Sequence, residues 1–333
     1  MSNMRQVAER AGVSPTTVSH VINNTRHVSE DTRLRVQEAM VELGYQPNIL
    51  ARSLRRGETH TIGLILPDSA NPFFAEIGRK IEEAAYQKNY SVILCNTEGE
   101  TEKERWYVDV LGKKQVDGII FVGTGDQADS LQILFNRDIP VVLVDRDLPN
   151  LEVDAVLTDN LQGGFLATTH LIELGHQRIG CIMGPSNLTP SAQRVTGYRN
   201  ALHAAGLVVD ESLIRRGDFH PRAGHAAALS LFDHPDSPTA LFVCNDMMAI
   251  GVLAAAAEVE CRVPEDLAVV GFDDIELASY TIPPLTTIAQ PKREIGRRAV
   301  QLLVERITDK SRQVQRVLLP TALIVRQSTG GSS

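Results

Sequence analysis

The chain is poor in cysteine and has no long hydrophobic run. Its 333 residues include four cysteines, and no two of them form a Cys-x-x-Cys pair, so we expect buried free thiols. No apolar run reaches the ~18–20 residues that span a membrane, and the first residues do not have the pattern of a signal peptide. The sequence therefore predicts a soluble, cytoplasmic protein. The four cysteines are Cys95, Cys181, Cys244 and Cys261.

Common motifs of nucleotide-binding and hydrolytic enzymes are also missing. The sequence has no Gly-x-x-x-x-Gly-Lys phosphate loop, no Gly-x-Gly-x-x-Gly after a predicted strand and no Gly-x-Ser-x-Gly. The nine histidines form no convincing metal site. We therefore expect neither catalysis nor a bound metal or cofactor.

Negative charge predominates in the chain but not at its N-terminus. The formal net charge is −8. Residues 1–60 hold eight arginines against six acidic residues, a net of +2, which leaves −10 for the remainder. A slightly basic N-terminal part on an acidic body permits a localised contact with phosphates.

Apolar residues at helical spacing predict three short helices within residues 1–46. The first ends at Gly12, and the second begins with Ser14 as its N-cap and Pro15 in its first turn. Two helices joined by a tight turn within about twenty residues are typical of a helix-turn-helix. A third helix is predicted from Ser29 to Gly44. The core of these helices is predicted to contain Met4, Val7, Ala8, Ala11, Val18, Val21, Ile22, Val36, Met40 and Leu43.

The second helix carries short, mostly polar side chains opposite its apolar stripe. Such a face suits a helix that enters a major groove and contacts base edges with its N-terminal half. Alternatively, it is the solvated face of an ordinary helical bundle. The candidate DNA contacts on this helix are Pro15, Thr16, Thr17, His20 and Asn23.

A short basic segment, residues 47–57, follows; we call it the hinge. It begins at Pro47, and its helix-prone part is too short to be stable alone in water, so we expect it to need a partner such as DNA. Leu54 beside arginines is typical of a minor-groove wedge. The alternative is a flexible linker with incidental charges. The candidate DNA contacts in the hinge are Asn48, Ala51, Leu54 and Arg55.

From residue 60 strand-like apolar runs alternate with helices, which predicts two similar α/β lobes with parallel sheets. Strands are predicted at residues 62–66, 91–95, 118–122 and 141–144, and then at 179–183, 240–244 and 268–271. The last helix, 292–307, and the strands 317–319 and 323–325 are expected to cross back between the lobes. The predicted ranges are about 60–160 and 290–320 for the N-lobe, about 161–289 and 321–328 for the C-lobe, and 329–333 for a disordered tail.

Aromatic, acidic, amide and arginine side chains follow several predicted strands. Ligands bind outside the carboxyl ends of parallel strands. Arginine and carboxylates pair with vicinal hydroxyls, and aromatic faces cover the C–H side of a sugar ring, so the set predicts a sugar site. Each residue alone fits a helix cap or a loop ion pair, and Asn245 in particular fits an N-cap. The candidates are Asn71, Phe73, Phe74, Asp145, Arg146, Arg194, Phe219, Asn245, Asp273 and Gln290.

Short motifs along nearly the whole chain are those of one protein family. They are Val7–Ser14, Thr17–Asn23, Leu43–Tyr45, Pro47–Asn48, Ala51–Leu54, Val116–Gly118, Asn245–Ala249, Gly271–Asp274 and Pro284–Thr287. With these motifs the chain resembles the lactose/galactose-repressor (LacI/GalR) family of bacterial transcription regulators. Its two lobes are most similar to those of the ribose-responsive members and to periplasmic ribose-binding proteins.

The resemblance implies a homodimer on a palindromic operator. Pro15, Thr16 and His20 would enter the major groove, and Leu54 of both chains would insert at a central pyrimidine–purine step. A sugar would close the lobes and release DNA, and a purine-type corepressor is the alternative. Arg146 replaces the tryptophan of purine- and ribose-type repressors and favours a sugar over a flat purine.

The sequence also predicts the oligomeric state and leaves one alternative function open. No leucine heptads follow Arg326, which favours a dimer over a tetramer. The alternative from a different class is a sugar-processing or NAD-linked enzyme on the same lobes, and turnover of substrate without an operator would distinguish it.

Overall fold

The computed structural model describes residues 2–23, 25–45, 58–123, 129–145, 147–148, 151–185 and 188–330. The chain divides into two compact units, residues 1–59 and residues 60–333. None of the helices in the described ranges is long and apolar enough to cross a membrane.

The described part of the first unit contains three helices around a small apolar core. They are α1 (Met4–Ala11), α2 (Pro15–Asn23) and α3 (Glu30–Glu42), so the predicted helix-turn-helix is confirmed. On α3 the predicted face is shifted slightly, because Ala39 is buried while Met40 and Leu43 are partly exposed. The buried residues are Val7, Ala8, Ala11, Val18, Val21, Val36 and Ala39.

Side-chain caps fix the starts of these helices. Asn3 Oδ1 accepts from the Gln6 N–H at 3.0 Å, and Gln6 Oε1 accepts from the Asn3 N–H at 2.9 Å, which caps α1 reciprocally. The Ser14 hydroxyl accepts from the Thr17 N–H at 3.1 Å and caps α2 as predicted. Gly12 ends α1 with φ 65°, a left-handed conformation that glycine adopts without steric cost. A tight turn therefore separates α1 from α2.

The second unit contains two sheets with six strands each in its described residues. Its helices are α4 (Pro72–Gln87), α5 (Thr101–Lys113), α6 (Asp129–Asn136), α7 (Asn160–Glu173), α8 (Thr189–Ala204), α9 (Pro221–Phe232), α10 (Asp246–Glu258) and α11 (Lys292–Thr308). The strands are β1 (Thr61–Leu66), β2 (Ser91–Asn96), β3 (Gly118–Val122), β4 (Val141–Val144), β5 (Asp154–Thr158), β6 (Ile179–Met183), β7 (Ile214–Arg216), β8 (Ala240–Val243), β9 (Ala268–Asp273), β10 (Thr286–Ala289), β11 (Arg316–Leu319) and β12 (Ala322–Ile324).

The two sheets define an N-lobe and a C-lobe. The N-lobe sheet has the order β11-β5-β4-β3-β1-β2 and is parallel throughout. The C-lobe sheet has the order β12-β10-β9-β8-β6-β7, and β12 is its one antiparallel strand among the described residues. Helices cover both faces of each sheet, with α4 and α11 packed together on the N-lobe and α7 with α8 on the C-lobe. The predicted two-lobe α/β fold is confirmed.

Three strands were not predicted from the sequence: β5, β7 and β10. β7 has three residues and two of them are arginines, so it offers no apolar run, and β5 and β10 are four or five residues long and contain threonine. Helix α7 begins at Asn160, because Asp159 Oδ1 accepts from the Gln162 N–H at 2.9 Å and caps it. A helix whose first turn is polar has no apolar stripe to mark its start.

The chain passes between the lobes three times. The crossings lie between β5 and α7, between β10 and α11, and between β11 and β12. The thiols of Cys95, Cys181 and Cys244 are buried, Cys261 is partly buried, and all four are free as predicted.

The prediction that the tail is disordered from residue 329 is wrong at its first residue. Thr329 is buried at the end of a short 3₁₀ helix, Gln327–Thr329. Its hydroxyl lies 2.9 Å from the Thr286 hydroxyl and 3.0 Å from His170 Nε2. The folded chain therefore includes Thr329, because side-chain hydrogen bonds hold it to the C-lobe. The polar sequence of the tail does not reveal these bonds.

Candidate functional site

A pocket lies between the lobes of the second unit, at the carboxyl ends of strands from both sheets. It encloses about 360 Å³ of space including its mouth. This is where the parallel-sheet rule predicts a ligand, because the ends of several strands converge there. The lining residues are Asn71, Phe73, Phe74, Asp145, Leu188, Pro190, Arg194, Phe219, Asn245 and Asp273.

Eight of the ten predicted ligand residues line this one pocket. Gln290 does not, since it lies behind Asp273 and donates its Nε2 hydrogen to Asp273 Oδ1 at 2.8 Å. Arg146 is outside the described residues. The sequence missed Leu188 and Pro190, which follow β6 on the way into α8. The same carboxyl-end rule covers them, but their apolar side chains gave no chemical signal.

Three phenylalanines form apolar walls of the pocket. Phe73 and Phe74 lie in the first turn of α4, where the Asn71 side chain caps the helix by accepting from the Phe73 N–H at 3.0 Å. Their ring centroids are 5.2 Å apart. Phe219 follows β7 with φ 72°, and its carbonyl accepts from Asn245 Nδ2 at 3.0 Å. The N-lobe and the C-lobe therefore each offer apolar ring faces to a ligand.

Asn245 is the N-cap of α10, the interpretation that the sequence left open. Its Oδ1 accepts from the Met248 N–H at 3.0 Å, while its Nδ2 holds the Phe219 carbonyl. Both polar ends of the amide are thus engaged with the protein. Asn245 therefore lines the pocket and positions Phe219, and its second Nδ2 hydrogen has no partner among these bonds.

Arg194 is the buried cation of the pocket. Its Nε donates to Asn160 Oδ1 at 2.8 Å, and its Nη1 donates to the Cys244 carbonyl at 2.6 Å. Nη1 lies 3.6 Å from Asp273 Oδ1. The fixed guanidinium therefore presents its remaining donors to the pocket in one orientation.

Two carboxylates line the pocket with this arginine. Burial raises the pKa of Asp145 to about 7 and the pKa of Asp273 to about 6, although the charge of Arg194 opposes both shifts. Asp145 Oδ1 is buried and has no hydrogen-bond partner among the described residues. A buried acceptor without a partner is costly, so the pocket is suited to a ligand that donates hydrogen bonds.

Three aspartates at or beside this pocket have left-handed backbone. Asp145 has φ 54°, Asp273 has φ 112° and Asp274 has φ 51°. Non-glycine residues rarely adopt these values, and such strain gathers at ligand sites. A hydrogen bond stabilises the turn after β9, because the fully buried Asp246 accepts from the Ile275 N–H at 2.9 Å.

On the first unit, α2 presents the predicted DNA-contacting face. Pro15 and Thr16 are exposed at its N-terminus, and Thr17 is partly exposed. His20 Nδ1 lies 2.8 Å from the Thr25 hydroxyl, and Asn23 Nδ2 donates to the Ser19 carbonyl at 2.8 Å. The first turn of α2 is thus freer to contact DNA than its last turn. Asn48, Ala51, Leu54 and Arg55 lie outside the described residues, as does the predicted hinge helix.

The chain is similar to known proteins along nearly its whole length. Residues 3–48 match the family described as bacterial regulatory proteins, lacI family, and residues 168–329 match the periplasmic binding protein-like domain. The ribose operon repressor of Escherichia coli (strain K12) is 44% identical over 329 residues, which are 98% of this chain and 100% of that repressor. The chain belongs to the LacI family of bacterial transcription regulators.

Other LacI-family proteins are similar over the same extent. The HTH-type transcriptional repressor PurR of Haemophilus influenzae (strain PittEE) is 43% identical over 332 residues, 98% of each chain. A crystal structure of the lac repressor dimer bound to operator and the anti-inducer ONPF has a TM-score of 0.89 and 31% identity, and covers 98% of this chain and 99% of the repressor chain. The protein is thus a transcriptional repressor of the LacI family and not an enzyme, and such repressors bind operator DNA and small-molecule effectors.

Proposed function

We propose that this LacI-family repressor binds a palindromic operator as a homodimer and releases it when a ribose-like monosaccharide occupies the cleft between its lobes. In this proposal residues 1–46 are the DNA-binding domain, residues 47–57 the hinge helix, and residues 60–328 the effector-binding and dimerisation domain. The protein acts on chromosomal DNA in the cytoplasm and needs no cofactor.

The composition of the pocket is the observation that carries the sugar assignment. Asp145, Asp273 and Arg194 line the pocket together with three phenylalanine rings, and Arg194 Nη1 lies 3.6 Å from Asp273 Oδ1. The carboxylates accept hydrogen bonds from vicinal hydroxyls, the guanidinium donates to a hydroxyl or ring oxygen, and the rings cover C–H groups. The name of the ribose operon repressor, 44% identical to this chain, supports a pentose.

A purine corepressor is the second candidate. The repressor PurR is 43% identical over a similar length, so overall identity does not separate the two ligand classes. Asp145 Oδ1 has no hydrogen-bond partner among the described residues, and a purine N–H could donate to it as a sugar hydroxyl could. Arg146 in place of an aromatic residue favours a sugar, because a flat base gains most from an aromatic face.

The proposed response is a population shift between two arrangements of the lobes. A sugar that contacts both lobes binds their closed arrangement better and raises its population. Closure then separates the paired hinges, which are too short to stay helical alone, and operator affinity falls. A ligand with equal affinity for both arrangements would shift nothing.

The test begins with an operator selected from random duplexes by the purified protein. D-Ribose, adenine, guanine and hypoxanthine are then titrated separately into the labelled complex, with fluorescence anisotropy as the readout. Release by ribose at constant ionic strength supports the proposal. Tighter operator binding with a purine would replace the inducer by the corepressor, and a selected site without two-fold symmetry would contradict the dimer.

The hinge assignment is tested by a wedge variant. Leu54→Ala should weaken operator binding about tenfold or more, because the unstacking wedge is lost. Ribose affinity measured by calorimetry should not change. Equal operator affinity in the variant would remove Leu54 from the DNA interface.

A further inference from the structure

An ion pair of the N-lobe is docked onto a turn of the C-lobe at the edge of the pocket. Lys292 Nζ lies 2.7 Å from Glu76 Oε2. Glu76 Oε1 accepts from the backbone N–H of Glu276 at 3.1 Å. Lys292 Nζ also donates to the carbonyls of Asp273, at 3.2 Å, and Asp274. The ion pair joins α11 to α4, and the other three contacts tie these helices to the strained turn that carries the pocket carboxylate.

The two partners sit at different distances from the crossing segment. Lys292 begins α11 directly after the crossing from β10, and Ala289 in β10 pairs with Asp273 in β9. Lys292 therefore stays near the turn in any arrangement of the lobes. Glu76 lies on α4, one helical turn after Phe73, and belongs to the body of the N-lobe. Its bond to Glu276 is the contact that a rotation of the lobes would break.

The Glu76 and Lys292 side chains are partly buried, which strengthens their contacts. The Glu76 and Lys292 side chains are only 21% and 15% exposed. Partly buried, charge-assisted hydrogen bonds are screened less by salt than surface pairs and are stronger than neutral ones. Among the carboxylates of α4, Glu82 and Glu83 are farther along the helix, and Glu83 pairs with Lys80 within α4.

We propose that Glu76 is a positioning residue of the effector response. Its contacts with Lys292 and with the Glu276 N–H, together called the latch, hold the N-lobe on the strained turn and stabilise the closed arrangement of the lobes. This inference rests on the proposed closure by a sugar. Glu76 does not line the pocket, and it acts through the turn that fixes Asp273. The latch adds to the closed population and hence to apparent affinity, since affinity scales with the fraction of competent molecules.

The experiment compares Glu76→Ala and Glu76→Gln with the wild-type full chain. D-Ribose binding is measured by calorimetry and its dissociation by stopped flow. Glu76→Ala should bind ribose roughly tenfold more weakly, with faster dissociation and unchanged association, because a latch acts after the ligand enters. Glu76→Gln keeps an acceptor for the Glu276 N–H and should recover a large part of the loss. Operator affinity without ribose should stay at the wild-type value.

Glu83→Ala is the matched control, since it removes a carboxylate from the same helix without touching the C-lobe; it should bind ribose normally. Hydrogen exchange of the Glu276 amide tests the contact without any ligand, and Glu76→Ala should speed it. Unchanged exchange, or unchanged ribose dissociation in Glu76→Ala, overturns the latch. Equal losses of ribose and operator binding also overturn it, because they indicate general destabilisation. If the wild-type protein binds no ribose, the sugar assignment fails, and the exchange measurement still decides the latch.

Discussion

The guanidinium of Arg194 lies over the ring of Phe272, with its central carbon 3.7 Å from the ring centroid. The same guanidinium bonds the Asn160 side chain and the Cys244 carbonyl, and it faces Asp273. One residue thus connects α7, α8, β8 and β9 beneath the pocket. Arg194 is as much a structural element of the C-lobe as a ligand group, and this changes how its substitution should be interpreted.

Arg194→Ala should destabilise the protein by about 3–5 kcal/mol, because it leaves Asp273 as a buried charge without its partner. Loss of response in this variant would then partly reflect unfolding. The measurement is urea denaturation followed by circular dichroism. Arg199→Ala on the same helix is the control: its exposed bidentate pair with Glu211 should contribute less than about 1 kcal/mol. Equal effects of the two substitutions would contradict the structural role of Arg194.

Asp145→Asn should stabilise the protein without ligand, and more so at high pH. Burial raises the pKa of the Asp145 carboxyl to about 7 in the folded protein, against about 3.9 for an unperturbed aspartate, so the folded state holds a proton that the unfolded state has lost. The wild-type protein therefore loses stability as the pH rises from about 4 to about 7, and the variant lacks this loss.

The check is urea denaturation of both proteins at pH 5 and pH 8. The stability difference in favour of Asp145→Asn should be larger at pH 8, since each pKa unit corresponds to about 1.4 kcal/mol. Asp273, whose pKa burial raises to about 6, titrates in both proteins, and its repulsion with an ionised Asp145, which the variant lacks, adds to the difference at pH 8. The same difference at both pH values would mean that Asp145 is not a buried acid in solution.

The sequence predicted the pocket well where a strand and a reactive residue are neighbours in the chain. Asp145 and Asp273 stand at the ends of apolar runs, so strand position and chemistry were visible together. The role of Gln290 was not visible in the sequence, because it depends on contact with a residue in another strand. The pairing of Glu76 with Lys292 was hidden for the same reason, since it joins distant segments. Leu188 and Pro190 were missed because apolar residues carry no distinctive chemistry.

Close packing of α7 on α8 requires a glycine at position 164. A Cβ on Gly164 would lie 2.1 Å from the backbone carbonyl oxygen of Arg194. Gly164→Ala should therefore separate the helices, cost about 1–3 kcal/mol or more, and displace Arg194 so that ribose binds more weakly. Thermal unfolding and calorimetry measure both effects.

Gly112→Ala is the matched control for that substitution. Its added Cβ meets mainly the flexible end of the Arg137 side chain, which can move away. Alanine also favours a helix over glycine by about 1 kcal/mol, so this variant should be neutral or slightly stabilised. A Gly164→Ala protein as stable as Gly112→Ala would show that α7 and α8 can separate at little cost.

Two substitutions at the N-terminus of α2, one in its first turn and one at its cap, should separate DNA contact from helix stability. Thr16 is exposed there, and Thr16→Ala should weaken the selected operator about tenfold or more, as expected for loss of a base-edge contact, without changing unfolding of the N-terminal unit. Ser14→Ala removes the hydroxyl that caps α2 and should cost about 1 kcal/mol of that unit's stability. Anisotropy at fixed salt measures the first effect and thermal unfolding the second. If Thr16→Ala weakened all duplexes equally, Thr16 would contact the DNA backbone and not a base.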